Sequence, residues 1–325
     1  MKMIVRDSLR QLFRLTFLAL VLLPCCRAQQ PAEPVAPPPE PPPIQQTPPI
    51  RTNVNLVLLH VSVVDAHGQF FPGLAAQNLR VFEDGAEQKV SVLRQEDAPV
   101  SMGLLIDNSG SMRDKRPNVN VAALTFVRTS NPEDEAFVAH FNQDYSFDLN
   151  KPFTNDLGEL GKALEQTESR GSTALFDAIL TSLDRLKSGY NSKKVLLIIS
   201  DGEDNSSRND LQATLEKVKK SNVMIYAVGL FADEEKTSAE HARQALTAIT
   251  QATGGAAFFP DGAQQVADIC TQIAYDIRHQ YSVGYYPPHP GDGTFRTVRV
   301  EVAPPPGTTD LSVRTRTGYF SGRND

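Results

Sequence analysis

A chain of 325 residues with 40% hydrophobic content is long enough to bury a sizeable core and has room for about two domains. Its net charge of −6 at pH 7, without a basic tract, excludes nucleic acid and an anionic membrane surface as partners. Of its three cysteines, Cys25 and Cys26 fall in the amino-terminal segment and Cys270 stands apart, which excludes an internal disulfide framework.

Residues 1–28 read as a signal peptide: Lys2, Arg6, Arg10 and Arg14 form a basic n-region, Leu15–Leu23 the apolar h-region, and Ala28 ends a cleavage site. The apolar run is too short to span a bilayer, so no transmembrane span is expected in the mature chain. An exported protein follows: periplasmic, cell-surface or secreted. The rival is a lipid anchor at Cys25 or Cys26, although Pro24 and Cys25 are poor residues ahead of a modified cysteine. Cleavage removes five basic residues and one acidic one, taking the charge from −6 to −10. Residues 29–52 form a proline-rich tether, extended and solvated.

Residues 53–97 read as an amino-terminal β segment. Leu56–Val63 is apolar on both alternating sets, Ala66–Gln69 is a turn, and Leu79–Glu83 and Gln88–Leu93 flank Asp84-Gly85, a strong hairpin signal. Too few strands appear here to close a sandwich alone.

From residue 98 to 279 strands alternate with helices. Val100–Ile106, Ala136–Phe141, Val195–Ser200, Val223–Gly229 and Ala256–Phe259 are short apolar runs, as expected of buried parallel strands. Apolar stripes at helical spacing lie between them: Leu175, Ile179, Leu183 and Leu186; Leu211, Leu215 and Val218; Leu246, Ile249 and Ala252, stopped by Gly254-Gly255. A last helix spans Gln264–Arg278, with Cys270 on its apolar face as a small core residue. Residues 280–325 return to β structure in Tyr281–Tyr286, Thr294–Val302 and Leu311–Thr317. The fold class is therefore α/β: a doubly wound, mostly parallel, Rossmann-like sheet, inserted in or flanked by a β-sandwich made of the amino- and carboxyl-terminal strands, with 280–325 pairing with 53–97.

Candidate chemistry gathers where strands end. Leu104–Met112 is an apolar run that breaks into a loop with Asp107, Ser109 and Ser111 at alternate positions. Thr173 lies in a loop that opens a helix, and Asp201 directly follows the apolar run Val195–Ile199 and Ser200. Ligands of open α/β sheets sit outside the carboxyl ends of strands, where Asp107 and Asp201 both fall. Carboxylate and hydroxyl oxygens are hard donors suited to Mg²⁺, Mn²⁺ or Ca²⁺. The plainer reading is a polar loop whose serines cap the helix that starts near Pro117. Glu203, Asp204 and Asp210 read as a solvated rim rather than a second cation site, and His140 as structural. No nucleophile elbow, phosphate loop or histidine pair at metal spacing is present.

The stretch 100–276 resembles a von Willebrand factor A domain with a complete metal-ion-dependent adhesion site, all five motif positions being filled by Asp107, Ser109, Ser111, Thr173 and Asp201. The flanking β segments resemble those of the secreted bacterial, acidobacterial-type group of such proteins. The resemblance implies a divalent ion, usually Mg²⁺, bound directly by Ser109 and Ser111, by Thr173 directly or through water, and by Asp107 and Asp201 mainly through waters. A partner's Asp or Glu carboxylate would complete the octahedron, and the last helix is the candidate for a switch.

The reading that follows is an exported, non-enzymatic adhesion module that captures an acidic group of a protein or peptide partner. One alternative is a metal-assisted hydrolase or phosphoryl-transfer enzyme, which lacks a general base or nucleophile close to Asp107 in sequence. The other is a structural cell-envelope module whose metal only stabilises loops.

Overall fold

In the computed structural model residues 56–322 are described, apart from 96, 130, 148, 150, 166–168, 232–234, 290 and 309. The expected signal peptide, tether and lipid-anchor cysteines lie outside the described residues. The described residues gather into one compact unit.

The chain opens with β1 (Val57–Val64), β2 (Leu79–Glu83), β3 (Ala86–Gln88) and β4 (Val92–Gln95). Asp84 and Gly85 take positive φ, 47° and 83°, as a two-residue hairpin turn requires. The single strand expected over Gln88–Leu93 is instead split. β3 pairs with β2, whereas β4 pairs with a strand of the opposite sheet, so the chain changes sheet between them.

The α/β part follows as β5 (Val100–Asp107), α1 (Arg116–Arg128), β6 (Glu135–Phe141), β7 (Tyr145–Phe147), α2 (Leu157–Glu165), α3 (Leu175–Leu186), β8 (Lys193–Ser200), α4 (Leu211–Lys220), β9 (Val223–Gly229), α5 (Lys236–Thr253), β10 (Ala257–Phe258) and α6 (Val266–Arg278). Its sheet runs β10-β9-β8-β5-β6-β7, all parallel except the edge strand β7. Every residue of β5 and β9 is buried, which is why these strands read as unbroken apolar runs. Met102, Leu104 and Ile106 of β5 pack under α1 and α6, and Leu105 packs under α3 with α4 and α5 beyond. Each such side chain contributes about 1.5–3 kcal/mol. Gly103 sits where a Cβ would come 2.6 Å from Phe137 Cζ and 2.8 Å from Leu196 Cδ1, so only glycine lets the neighbouring side chains close over the strand. The last helix begins at Val266, behind a 3-10 turn at Ala263–Gln265, and Cys270 is fully buried on it.

The chain closes with β11 (Tyr281–Tyr285), β12 (Phe295–Val302), β13 (Ser312–Arg314) and β14 (Gly318–Phe320). Two antiparallel sheets result, β13-β1-β11-β4 and β14-β12-β2-β3, each mixing amino- and carboxyl-terminal strands. Leu59, Val61, Val63, Tyr281 and Val283 from the first meet Leu79, Val81, Val298 and Val300 from the second in a common core. Glu83 is buried in this sandwich and accepts hydrogen bonds from Tyr285 (2.7 Å) and Tyr319 (2.8 Å). Tyr281 and Tyr285 are thus core residues, while Tyr286 is exposed.

Candidate functional site

The strand order reverses at β5. The chain leaves it first toward β6 and then returns on its other side to β8, so the loops after β5 and β8 diverge and leave a crevice at their carboxyl ends. Asp107 is the last residue of β5 and Asp201 the first beyond β8, and both are completely buried.

Hydrogen bonds tie the motif residues to one another. Asp107 Oδ2 accepts from Ser200 Oγ at 2.6 Å and Oδ1 from the Ser109 N–H at 2.8 Å. Burial pushes the Asp107 carboxyl up to about 6, against the opposing pull of these bonds. Ser109 Oγ lies 3.1 Å from Ser111 Oγ, which donates to Asp201 Oδ1 at 2.8 Å. Lys115, ahead of α1, donates from Nζ to Asp201 Oδ2 at 2.7 Å and reaches the Leu230 carbonyl at 3.4 Å. The serines do not cap α1, whose amino-terminal cap position is Lys115 with no side-chain cap bond.

Thr173 joins the group from the loop between α2 and α3. A Cβ on Gly202 would lie 3.4 Å from its Oγ1, which places the hydroxyl against the Asp201 loop. Its N–H donates to Asn205 Oδ1 at 2.9 Å. Gly110 N–H donates to the Gly171 carbonyl (3.2 Å), Arg170 N–H to the Asn108 carbonyl (2.9 Å), and Ser169 Oγ to Asn108 Oδ1 (3.1 Å), stitching the two loops together. Asn108 and Ser172 therefore shape the loops, the latter through Ser206 Oγ at 2.7 Å.

The expected Mg²⁺, Mn²⁺ or Ca²⁺ centre is overturned. Among the described residues no three His, Cys, Asp or Glu side chains come together in a group that could hold a metal ion. The donor chemistry gives the physical reason. Each oxygen of Asp107 and Asp201 accepts a bond from the protein itself, and one donor is the Lys115 ammonium, a cation already seated on Asp201. Mg²⁺ sheds its waters reluctantly and demands free oxygen donors in strict geometry, which this set does not offer.

The acidic rim is occupied as well. Glu203 meets His241 Nδ1 at 3.0 Å and Ser238 Oγ at 2.9 Å, Asp204 accepts from Phe176 N–H at 2.9 Å, and Asp210 caps α4 through Ala213 N–H at 2.8 Å. His140 is buried against Arg116, its Nε2 lying 3.1 Å from Nη2. The apex loops present Gly110, Ser111, Arg113, Asp114, Arg170, Gly171, Ser172 and Asn205 to solvent. Ser200 and Lys115 are the bonded neighbours of the two carboxylates that the motif alone does not announce. Their signals are a hydroxyl directly before Asp201 and a cation at the first turn after Ser111.

Residues 102–272, just over half of the chain, match the family model of the von Willebrand factor type A domain. Among curated proteins, none matches the sequence. Solved structures of similar fold include the PilB minor pilin from Streptococcus sanguinis, with 11% identity over 57% of this chain and 62% of that one at a TM-score of 0.48. This chain therefore spans less than two thirds of that pilin's length. A von Willebrand factor type A protein from Catenulispora acidiphila has 12% identity over 83% of this chain and 75% of that one, at a TM-score of 0.49. The vWF domain of the type V pili tip protein Mfa5 from Porphyromonas gingivalis has 11% identity over 56% and 95% of the respective chains, at a TM-score of 0.46.

Proposed function

The chain belongs to the von Willebrand factor type A domain family, and on that premise we propose an exported, non-enzymatic binding module that holds a protein partner by the loops at the carboxyl ends of β5 and β8. Asp107, Ser109, Ser111, Thr173 and Asp201 form the centre of that face and act without an ion. Their buried part, closed by Lys115 and Ser200, sets the loop geometry. Their exposed part is Ser111; Arg113, whose guanidinium reaches the Ser169 carbonyl at 3.5 Å, and Arg170 and Ser172 are exposed in the same pair of joined loops. An Asp or Glu side chain of the partner is received by these guanidinium and hydroxyl donors, which suit a carboxylate better than any neutral group.

The observation that carries the reading is that two exposed arginines stand on loops whose carboxylates are bonded within the protein. The hydrolase alternative loses its support, because both carboxylates are buried and bonded and His140 is buried against Arg116. Assignment to the secreted bacterial group rests on the flanking β segments, and export on the basic and apolar pattern of residues 1–28. Among the described residues no helix is long and apolar enough to cross a membrane.

A blocked Gly-Asp-Gly peptide titrated into the protein, followed by amide shifts of Ser111, Arg113 and Ser172, tests the proposal. Binding should persist in chelator and weaken about tenfold in Arg113→Ser. Loss of binding in chelator, or indifference to both arginines, sinks it.

A further inference from the structure

A cleft of about 800 Å³ lies against the amino-terminal ends of β8 and β9, at the opposite end of the sheet from the apex loops. Its size is that of a site for a short peptide or a small molecule. Two stretches of the sandwich line it, Leu56–His60 along β1 and Tyr319–Gly322 from β14 onward.

The first stretch is an open strand edge. β11 pairs with β1 along Val57–Val61, but on the other side β13 pairs with it only along Ser62–Val64. Among the described residues no strand pairs with Val57–Val61 on that side. The His60 carbonyl accepts from Thr315 Oγ1 at 3.2 Å, so it points toward the β13 side. Backbone groups alternate along a strand, and the N–H and C=O of Leu58 therefore face the same open edge. Leu56 and Leu58 are exposed beside it. Such an edge is a template for an added strand.

The second observation is charge. His60, Lys193, Lys194 and Arg316 line the cleft, and its lining contains no Asp or Glu. Their hydrogen bonds go to neutral acceptors: Lys194 Nζ donates to the carbonyls of Gly189 and Asn191, buried Lys193 to that of Ile277, and Arg316 to those of Gly318, Lys219 and Ser221 and to Asn222 Oδ1, while Asp97 and Asp134 act on Lys193, and Glu135 on Lys194, from outside the lining. The same field acts on His60, whose imidazole is lowered to about 4 by burial and then by Lys193 and Arg316.

We propose that this cleft is a strand-addition site for an extended acidic peptide segment of a partner protein, hydrogen-bonded to the open edge of β1 at Leu58 and facing Lys193, Lys194 and Arg316 with its carboxylates. At about 3.3 Å per residue the edge accommodates a segment of about five residues. The site is independent of the apex loops.

The probe is a labelled, blocked Glu-Val-Glu-Val-Glu peptide beside its Lys-Val-Lys-Val-Lys counterpart, titrated into the full chain by fluorescence anisotropy, with hydrogen exchange read at Val57–Val61. The acidic peptide should bind at least about tenfold tighter than the basic one. It should protect the Leu58 amide, which faces the open edge, and raise the His60 pKa read from its ring protons. Leu58→Pro, which removes the edge donor and no bond to β11, should weaken binding about tenfold. Lys194→Glu should do the same should the proline variant fail to fold, whereas Arg113→Ser should leave binding unchanged. Equal binding of both peptides overturns the proposal, as does binding lost in Arg113→Ser but kept in Leu58→Pro. A Leu58 amide already protected without peptide overturns it too, since the chain's own upstream residues would then hold the edge.

Discussion

Replacing Lys115 by methionine isolates what its ammonium does for Asp201. The pair is 2.7 Å apart, with Lys115 14% exposed and Asp201 not at all. Removing one member of a buried ion pair costs roughly 3–5 kcal/mol, because the other charge is left uncompensated. Ser111 still donates to the other carboxylate oxygen, and the lysine is not wholly enclosed, so the low end, about 3 kcal/mol, applies. With a urea slope of about 3 kcal/mol per M, the unfolding midpoint should fall by about 1 M. Asp201→Asn on the same background should restore about half of that loss, since an amide carries no charge to strand. The reasoning is refuted if Lys115→Met shifts the midpoint by less than about 0.2 M, or if the two substitutions simply add. The same assay checks the correction of the metal centre. A divalent ion held by the native loops would raise the midpoint by mass action, and millimolar Mg²⁺ should leave that of the parent protein where it is.

The remaining expectations use the same unfolding measurement or a simple thiol assay. His60 is lowered from 6.5 to about 4, so between those values the unfolded chain takes up a proton that the native one refuses. Stability is therefore full above pH 6.5 and falls as the pH drops toward 4, and His60→Gln should flatten that decline by about 3 kcal/mol between neutral pH and the lower limit. Gly103→Ala should destabilise by about 1–3 kcal/mol by pressing a methyl group into Phe137 and Leu196. Cys270, fully buried and pushed up to about 12 by that burial, should ignore a thiol reagent in the native protein and react stoichiometrically in denaturant.

Much of the architecture was legible because burial on both faces leaves a plain mark. β5, β8 and β9 appear as runs of apolar residues that no surface element tolerates, and the positive-φ turn at Asp84-Gly85 announced the hairpin. The split between β3 and β4 was not legible, since leaving one sheet for the other is decided by partners far away in sequence. β7 escaped notice although Tyr145 and Phe147 alternate around Ser146 behind the turn Asn142–Asp144; three residues are too few for periodicity to speak. At the apex the sequence points to Asp107, Ser109, Ser111, Thr173 and Asp201 by their places at the ends of strands and in the loops that follow. It could not tell which groups take the carboxylate lone pairs. That depends on Ser200 and Lys115, whose contacts exist only once the strands are side by side.

The way the α/β body is inserted has a mechanical consequence. It hangs between β4 and β11, and β11 is zipped antiparallel to β1 by five register pairs, Val57 to Tyr285 through Val61 to Tyr281. Tension that enters the chain ahead of β1 and leaves through the body at Tyr281 grips these two strands by opposite ends. The load then runs along the strands, and all the pairs resist it together instead of opening one after another. A body pulled against a force applied ahead of β1 is therefore loaded in shear.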